Sequence, residues 1–216
     1  MYESTPKGTS PHSLGNRLGR VIWSVVWLLL VRPSPRFLHK WRNWIYRMMG
    51  ARIHPTARIY PTARVWAPWN IEMGELACLG DLTDIYSPAM IKLGAHATVS
   101  QYSFLCTASH NIEEPNHPLT TAPITLGEDV WIAADVFVAP GVSIPDGVVV
   151  GARSSVFKSD LPAWHFCAGN PARPIKPRPM SARAIRMNGK QGPMASGGGR
   201  EGTDQGARAV SSMEGR

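Results

Sequence analysis

Residues 126–156 read LGEDVWIAADVFVAPGVSIPDGVVVGARSSV, and an aliphatic side chain returns every six positions: Leu126, Ile132, Val138, Ile144, Val150 and Val156. A helix repeats at about 3.6 residues and a strand at about 2, so neither produces this period. A coil with flat sides and tight corners does. Each side points one aliphatic residue inward, and small residues let the chain turn the corner. Stacked coils then bury a continuous aliphatic column, with strands running parallel from one coil to the next. Upstream the same beat runs through Ile53, Ile59, Val65 and Ile71. It continues in a shifted register through Leu79, Ile85 and Ile91, and in a third through Leu93, Val99 and Leu105. The expected fold class is mainly β, a parallel β-helix over residues 51–180.

The beat stops between Leu105 and Leu126, where residues 106–118 read CTASHNIEEPNHP. A stacked coil cannot lack its inward column, so the chain is expected to leave the stack as an external loop over about 106–123. Loops held on a rigid scaffold are common places for reactive groups. Two histidines, His110 and His117, and two carboxylates, Glu113 and Glu114, fall in it.

Residues 1–16 are polar and turn-rich and are expected to be a disordered leader. Residues 17–50 are basic and rich in tryptophan and should form helices. Val21 to Val31 is an eleven-residue stretch without a charge, short of the about twenty needed to cross a bilayer. In FLHKWRNWIYRMMG, the apolar Phe37, Leu38, Trp41, Trp44, Ile45 and Met48 share one helical face, and Gly50 suits the stop. Basic residues beside Trp-rich faces fit an interfacial membrane helix. They fit equally well a helix packed on the protein's own body or on a neighbouring subunit. Residues 181–216 have little to bury and are expected to be a disordered tail.

Of the net charge of +8, residues 1–50 hold +7, residues 51–180 hold −2 and residues 181–216 hold +3. A nucleic-acid binder carries its basic stripe on the folded body, so nucleic acid is not an expected partner. The three cysteines, Cys78, Cys106 and Cys167, form neither a C-x-x-C pair nor an even framework. That favours a reducing compartment and a cytoplasmic protein, with a peripheral place at the inner membrane left open.

The stretches SQYSFLCTASHNIEEP, PITLGEDVWIAADVFVAPGVSIPDGVVVGARSSVFKSDLPA and GNPARPIKPR resemble the left-handed parallel β-helix, hexapeptide-repeat acyltransferases. Within them the chain is most similar to the colanic acid biosynthesis acetyltransferases, relatives of the maltose and galactoside O-acetyltransferases. KWRNWIYRMMGARI resembles that family's lead-in. The resemblance implies a homotrimer with acetyl-CoA bound between neighbouring coils and an acetyl group passed to a sugar hydroxyl. The acceptor would be a sugar or lipid-linked oligosaccharide of surface-polysaccharide assembly, and no metal is expected. Such a transfer needs a base for the hydroxyl proton, and histidine suits this near neutral pH. By the resemblance His110 is that base. His117, in an N-H-P segment with no counterpart in the motif, is expected at the surface, and Glu113 and Glu114 either orient His110 or solvate the loop.

Asp84 falls where the family carries a polar residue, often Asn, that contacts the acceptor, and it suits a solvated corner equally well. Trp131, Ala133, Ala134, Gly151 and Ala152 map onto the groove for the pantetheine arm. Lys158, Arg173 and Lys176 map onto the end where cations meet the CoA phosphates. Taken alone, each small residue suits a coil corner and each cation a solvated edge. Phe157 stands where relatives often have Thr, so a hydroxyl contact is lost there. Two rival readings share the coil pattern. One is a non-catalytic scaffold. The other is a γ-carbonic-anhydrase-like metalloprotein using His96, His110 and His117, whose spacing does not match that family's pattern.

Overall fold

The structure is a computed structural model of the chain and describes residues 3–4 and 13–190. Each coil contributes three short strands, one to each face of a parallel β-helix. The first face holds Arg52–Ile53, Ile71–Met73, Ile91–Leu93, Ile124–Leu126 and Ser143–Ile144. The second holds Arg58–Ile59, Cys78–Leu79, Thr98–Val99, Trp131–Ile132 and Val149–Val150. The third holds Arg64–Val65, Asp84–Tyr86, Phe104–Cys106, Phe137–Val138 and Ser155–Val156. An antiparallel pair, His165–Gly169 and Ala172–Pro177, caps the second face.

The expected inward column is the core. Ile59, Leu79, Val99, Ile132 and Val150 are all fully buried on the second face. Small residues do fill the corners, as Ala57, Ala63, Ala77 and Ala97 are buried there. The turns themselves, however, place larger residues in the left-handed region, among them Leu76, Leu82, His96, Tyr102 and Arg153. Coil geometry overrides local preference at those positions.

The shifts of register have one cause. Phe137 pairs with Ser155, three hexads further on, whereas Arg64 pairs with Asp84, three hexads and two residues on. The two extra residues lie at the corner between the third and first faces. There the first-face strand is longer and buries both Ile71 and Met73, then both Ile91 and Leu93. The break at 106–123 enters at this same corner.

Two helices precede the coils. Helix α1 (Leu14–Val26) is capped by Ser13, whose Oγ accepts the Asn16 N–H at 3.2 Å. It runs on through a π-helical turn, Trp27–Val31. The continuous element of 18 residues, Leu14–Val31, has a mean hydropathy of 1.4 and is long and apolar enough to cross a membrane. It thus exceeds the eleven-residue stretch visible in the sequence, because the helix carries through Arg17 and Arg20. One face is nevertheless fixed to the coils. Trp23 Nε1–H donates to the Val65 carbonyl at 2.7 Å and Trp27 Nε1–H to the Ala63 carbonyl at 3.0 Å.

Helix α2 (His39–Met48) reverses most of the expected face. Of the predicted apolar set only Ile45 is buried, while Phe37, Leu38, Trp41, Trp44 and Met48 are exposed. Arg42 and Asn43 are buried instead. Carbonyls that the coil and the connection leave open explain the reversal. Arg42 donates to the carbonyls of Ile59 (2.6 Å), Pro35 (2.7 Å) and Arg36 (2.6 Å), and to Ser34 Oγ (2.9 Å). Its guanidinium fork satisfies four acceptors at once, which no apolar side chain can do. Burial pushes its pKa down from the usual arginine value.

At the termini the picture is mixed. Helix α1 begins inside the expected leader, and Glu3–Ser4 pairs antiparallel with Leu119–Thr121. The remainder of residues 1–12 lies outside the described residues. The expected tail opens with a helix, α3 (Ala182–Lys190), and residues 191–216 lie outside the described residues.

Candidate active site

The broken stretch is an arm of two paired strands, to which Glu3–Ser4 adds a third, rather than an irregular loop. Ala108–His110 pairs antiparallel with Leu119–Thr121, with His110 opposite Leu119. Its exit is built by a buried ladder at the third-to-first corner: Ala67, Ser87 and Thr107 stack coil over coil. Ser87 Oγ accepts the Ala67 N–H at 3.1 Å. Thr107 Oγ1 accepts the Ala89 N–H at 3.0 Å and donates to the Tyr86 carbonyl at 3.1 Å. The Ala122 N–H closes the base of the arm on the Thr107 carbonyl at 2.9 Å. The arm is therefore tied to the rigid stack at the residue where it departs.

His110 is exposed on this arm, and its Nδ1 lies 2.7 Å from the His117 carbonyl oxygen. A carbonyl only accepts, so Nδ1 carries the hydrogen, and in the neutral ring Nε2 holds the lone pair. His117 matters here through its backbone; its own ring is exposed and its φ is +44° in the turn. That turn is closed by the His117 N–H on the Glu114 carbonyl at 2.9 Å and the Asn111 N–H on the Pro118 carbonyl at 3.0 Å. Glu114 Oε1 accepts from Asn111 Nδ2 at 2.9 Å, and the Glu113 N–H donates to Asn111 Oδ1 at 3.1 Å. The polar groups of this segment shape the turn that holds the His117 carbonyl against the ring.

The imidazole opens onto a cleft of about 460 Å³, lined also by Glu113, Thr120, Ala139, Pro140 and Phe157. Phe157 closes a row along the third face. Phe104 and Phe137 have ring centroids 5.6 Å apart, and Phe137 and Phe157 5.8 Å. Phe157 also lines an adjoining cavity of about 270 Å³ with Lys158, Asp160 and Arg173. Arg173 is ion-paired there with Asp160 at 3.4 Å. Lys176 lies on the capping strand, opposite Phe166 and exposed.

The remaining expected site residues sit elsewhere in a single chain. Trp131 is half exposed on the second face, where its Nε1–H donates to Ser100 Oγ at 2.9 Å. Ala133 and Ala134 form the turn into the third face, and Ala152 repeats that place one coil later. Much of their backbone is committed within the stack. The Ala133 carbonyl takes the Ser103 hydroxyl at 2.7 Å and the Ala133 N–H donates to Val150 at 3.0 Å. Gly151 is buried, and a Cβ there would stand 3.1 Å from both Ala168 Cβ and the Phe166 ring. Its smallness serves the capping hairpin. Asp84 is further away, in a cavity of about 360 Å³ beneath α1 with Arg20, Arg64, Trp27 and Trp66. His110, Phe157, Lys158 and Arg173 thus form one connected region, while Asp84 and the Trp131 group do not join it.

Among the described residues no three or more His, Cys, Asp or Glu side chains converge as metal ligands. His96 lies in a left-handed turn of the second face, apart from the arm. All three cysteines are free, and burial pushes each thiol up from its ordinary value.

Sequence reasoning missed Thr107 and the His117 carbonyl. The first was detectable, because Ala67, Ser87 and Thr107 recur at one coil's spacing. The second was not, since a carbonyl has no residue signature.

No protein-family model matches the chain. Among solved structures, a galactoside acetyltransferase in complex with coenzyme A superposes with a TM-score of 0.71 at 24% identity, covering 78% of this chain and 84% of that one. A hexapeptide-repeat acetyltransferase of Vibrio cholerae O1 biovar eltor, complexed with acetyl coenzyme A, gives 0.70 at 23% identity, covering 79% and 93%. These likenesses show the fold. Among curated sequences, a protein of Escherichia coli (strain K12) named as the colanic acid biosynthesis acetyltransferase WcaF is 43% identical over 175 residues, or 81% of this chain and 94% of that protein. With that identity over nearly the whole relative, the chain belongs to the hexapeptide-repeat O-acetyltransferases, in the colanic acid biosynthesis acetyltransferase family.

Proposed function

We propose that the protein transfers an acetyl group from acetyl-CoA to a sugar hydroxyl in surface-polysaccharide assembly, with His110 as general base. The observation that carries this is the His110–His117 carbonyl hydrogen bond, which leaves Nε2 free to accept a proton at the cleft. The acceptor oxygen attacks the thioester carbonyl while Nε2 takes its proton. The tetrahedral intermediate then collapses, the C–S bond breaks, and the proton passes from the imidazolium to the thiolate to give free CoA. The His117 carbonyl stays bonded to Nδ1–H throughout and favours the transient imidazolium. No nucleophile from the chain is needed, since the thioester carries its own leaving group.

Lys158 and Arg173 adjoin the cleft and suit the CoA phosphates. The Trp131, Ala133, Ala134, Gly151 and Ala152 group sits apart from His110 within one chain. We therefore propose a homotrimer in which one copy's arm faces another copy's second-face turn. Asp84, also apart, would reach an acceptor only through an extended saccharide or a neighbouring copy. The reaction belongs in the cytoplasm, where acetyl-CoA is made, and the three free thiols agree with a reducing compartment.

The test is release of CoA thiol from acetyl-CoA with sugar acceptors, comparing wild type with His110→Ala. The variant should fall by about 10²–10⁴-fold while keeping its thermal midpoint. Equal rates for the two proteins would sink the assignment of the base. Loss of an acetyl group from the cell's polysaccharide on removing the protein would identify the acceptor.

A further inference from the structure

We infer that the N-terminal helices form a docking surface for an anionic lipid bilayer, lying in the plane of the interface. The observation is an apolar face that, among the described residues, nothing covers. Along the outer side of α1 and its π turn, Leu14, Leu18, Val21, Ile22, Val25, Leu28 and Leu29 are all exposed. They follow the spacing of one helical stripe. Only 11% of the Leu14–Val31 window is buried. The surface continues onto α2, where Trp41 and Trp44 stack with centroids 5.4 Å apart while 40% and 51% exposed. Trp41 Nε1–H donates to the Leu30 carbonyl at 3.1 Å, which locks the two elements into a common face. Phe37 and Met48 extend it.

Charge decides what covers this face. Residues 13–50 contain seven Lys/Arg and no acidic residue. Arg42 is used inside the fold and Arg36 is paired with Asp81, but Arg17, Arg32, Lys40 and Arg47 are exposed on the same two helices and their connection. A second copy of the chain would bring the same positive charges against them. An anionic lipid surface would meet them with opposite charge, and tryptophan suits the headgroup boundary. Anchoring decides the orientation. Trp23 and Trp27 bond coil carbonyls, and Arg20 stacks over Trp66 at 4.2 Å. The inner side of α1 is therefore held on the protein along most of its length, so the element lies on the bilayer rather than crossing it.

The test floats the full-length protein with vesicles of phosphatidylcholine alone or mixed with phosphatidylglycerol, and follows tryptophan emission. Wild type should float with the anionic vesicles, shift its emission to the blue, and be released by salt. The double variant Val25→Glu/Leu29→Glu should remain unbound. Arg17→Glu, Lys40→Glu and Arg47→Glu keep the stripe apolar and should each weaken binding by at least about fivefold, the effect of one charge near such a surface. These three decide the matter if the double variant does not fold. Wild type that ignores anionic vesicles overturns the proposal. So does a wild type whose mass in solution, by light scattering, is halved or more by Val25→Glu/Leu29→Glu without any lipid dependence, because that face would then belong to a second copy. CoA release with a soluble acceptor should be unchanged in all these variants, which separates this inference from the catalytic one.

Discussion

The coil stack and the arm that leaves it are made from the same chain by opposite rules. In the stack, backbone polar groups are committed to the next coil and the inward side chains are aliphatic or small, with Met73 the longer exception on the first face. In the arm, no inward column exists, and the side chains at His110, Asn111, Glu113 and Glu114 are free to act on one another or on a ligand. The stack is thus expected to set stability and the arm to set rate. Thr107, where one becomes the other, should affect both.

That division can be broken by mutation. The largest effect expected is on rate alone, in the His110→Ala variant already described. Next, Ile132→Ala opens a cavity in the fully buried column and should cost about 2–5 kcal/mol in urea unfolding, with CoA release preserved while the protein stays folded. A rate loss matching that of His110→Ala in still-folded Ile132→Ala would show the two regions to be one unit. Arg42→Ala strands the carbonyls of Ile59, Pro35 and Arg36 and should cost about 2–4 kcal/mol. Arg42→Lys should not restore this, since an ammonium cannot span the same set. Thr107→Val keeps the shape but removes the bonds to Ala89 and Tyr86. A loss of about 1–3 kcal/mol is expected, with an accompanying fall in rate measured as kcat rather than KM. The smallest effect runs the other way. The Tyr46 hydroxyl is buried without a hydrogen-bond partner among the described residues, and burial pushes its pKa well above the usual phenol value. Tyr46→Phe should be neutral or up to about 1 kcal/mol more stable, and a clear destabilisation would reveal a partner for that hydroxyl.

Much of this molecule was legible in its residues. The six-residue beat determined the coils, because only a three-sided turn of parallel strands buries one aliphatic residue in six. Its interruption located the arm, while His110 was singled out by the family resemblance that its T-A-S-H run carries. Other features follow from approach in space, which no local pattern records. The helical pattern of α2 was read correctly as amphipathic, yet which face went inward depended on open carbonyls at Ile59 and in the 35–36 connection, far from it or hidden in its own lead-in. The tautomer of His110 was set by a backbone carbonyl seven residues away. Gly151, expected in the pantetheine groove by resemblance alone, is also a place where a Cβ would crowd Phe166 and Ala168. Periodicity reports what a residue must bury. Which donor meets which acceptor is decided only when the coils close and bring distant backbone groups together.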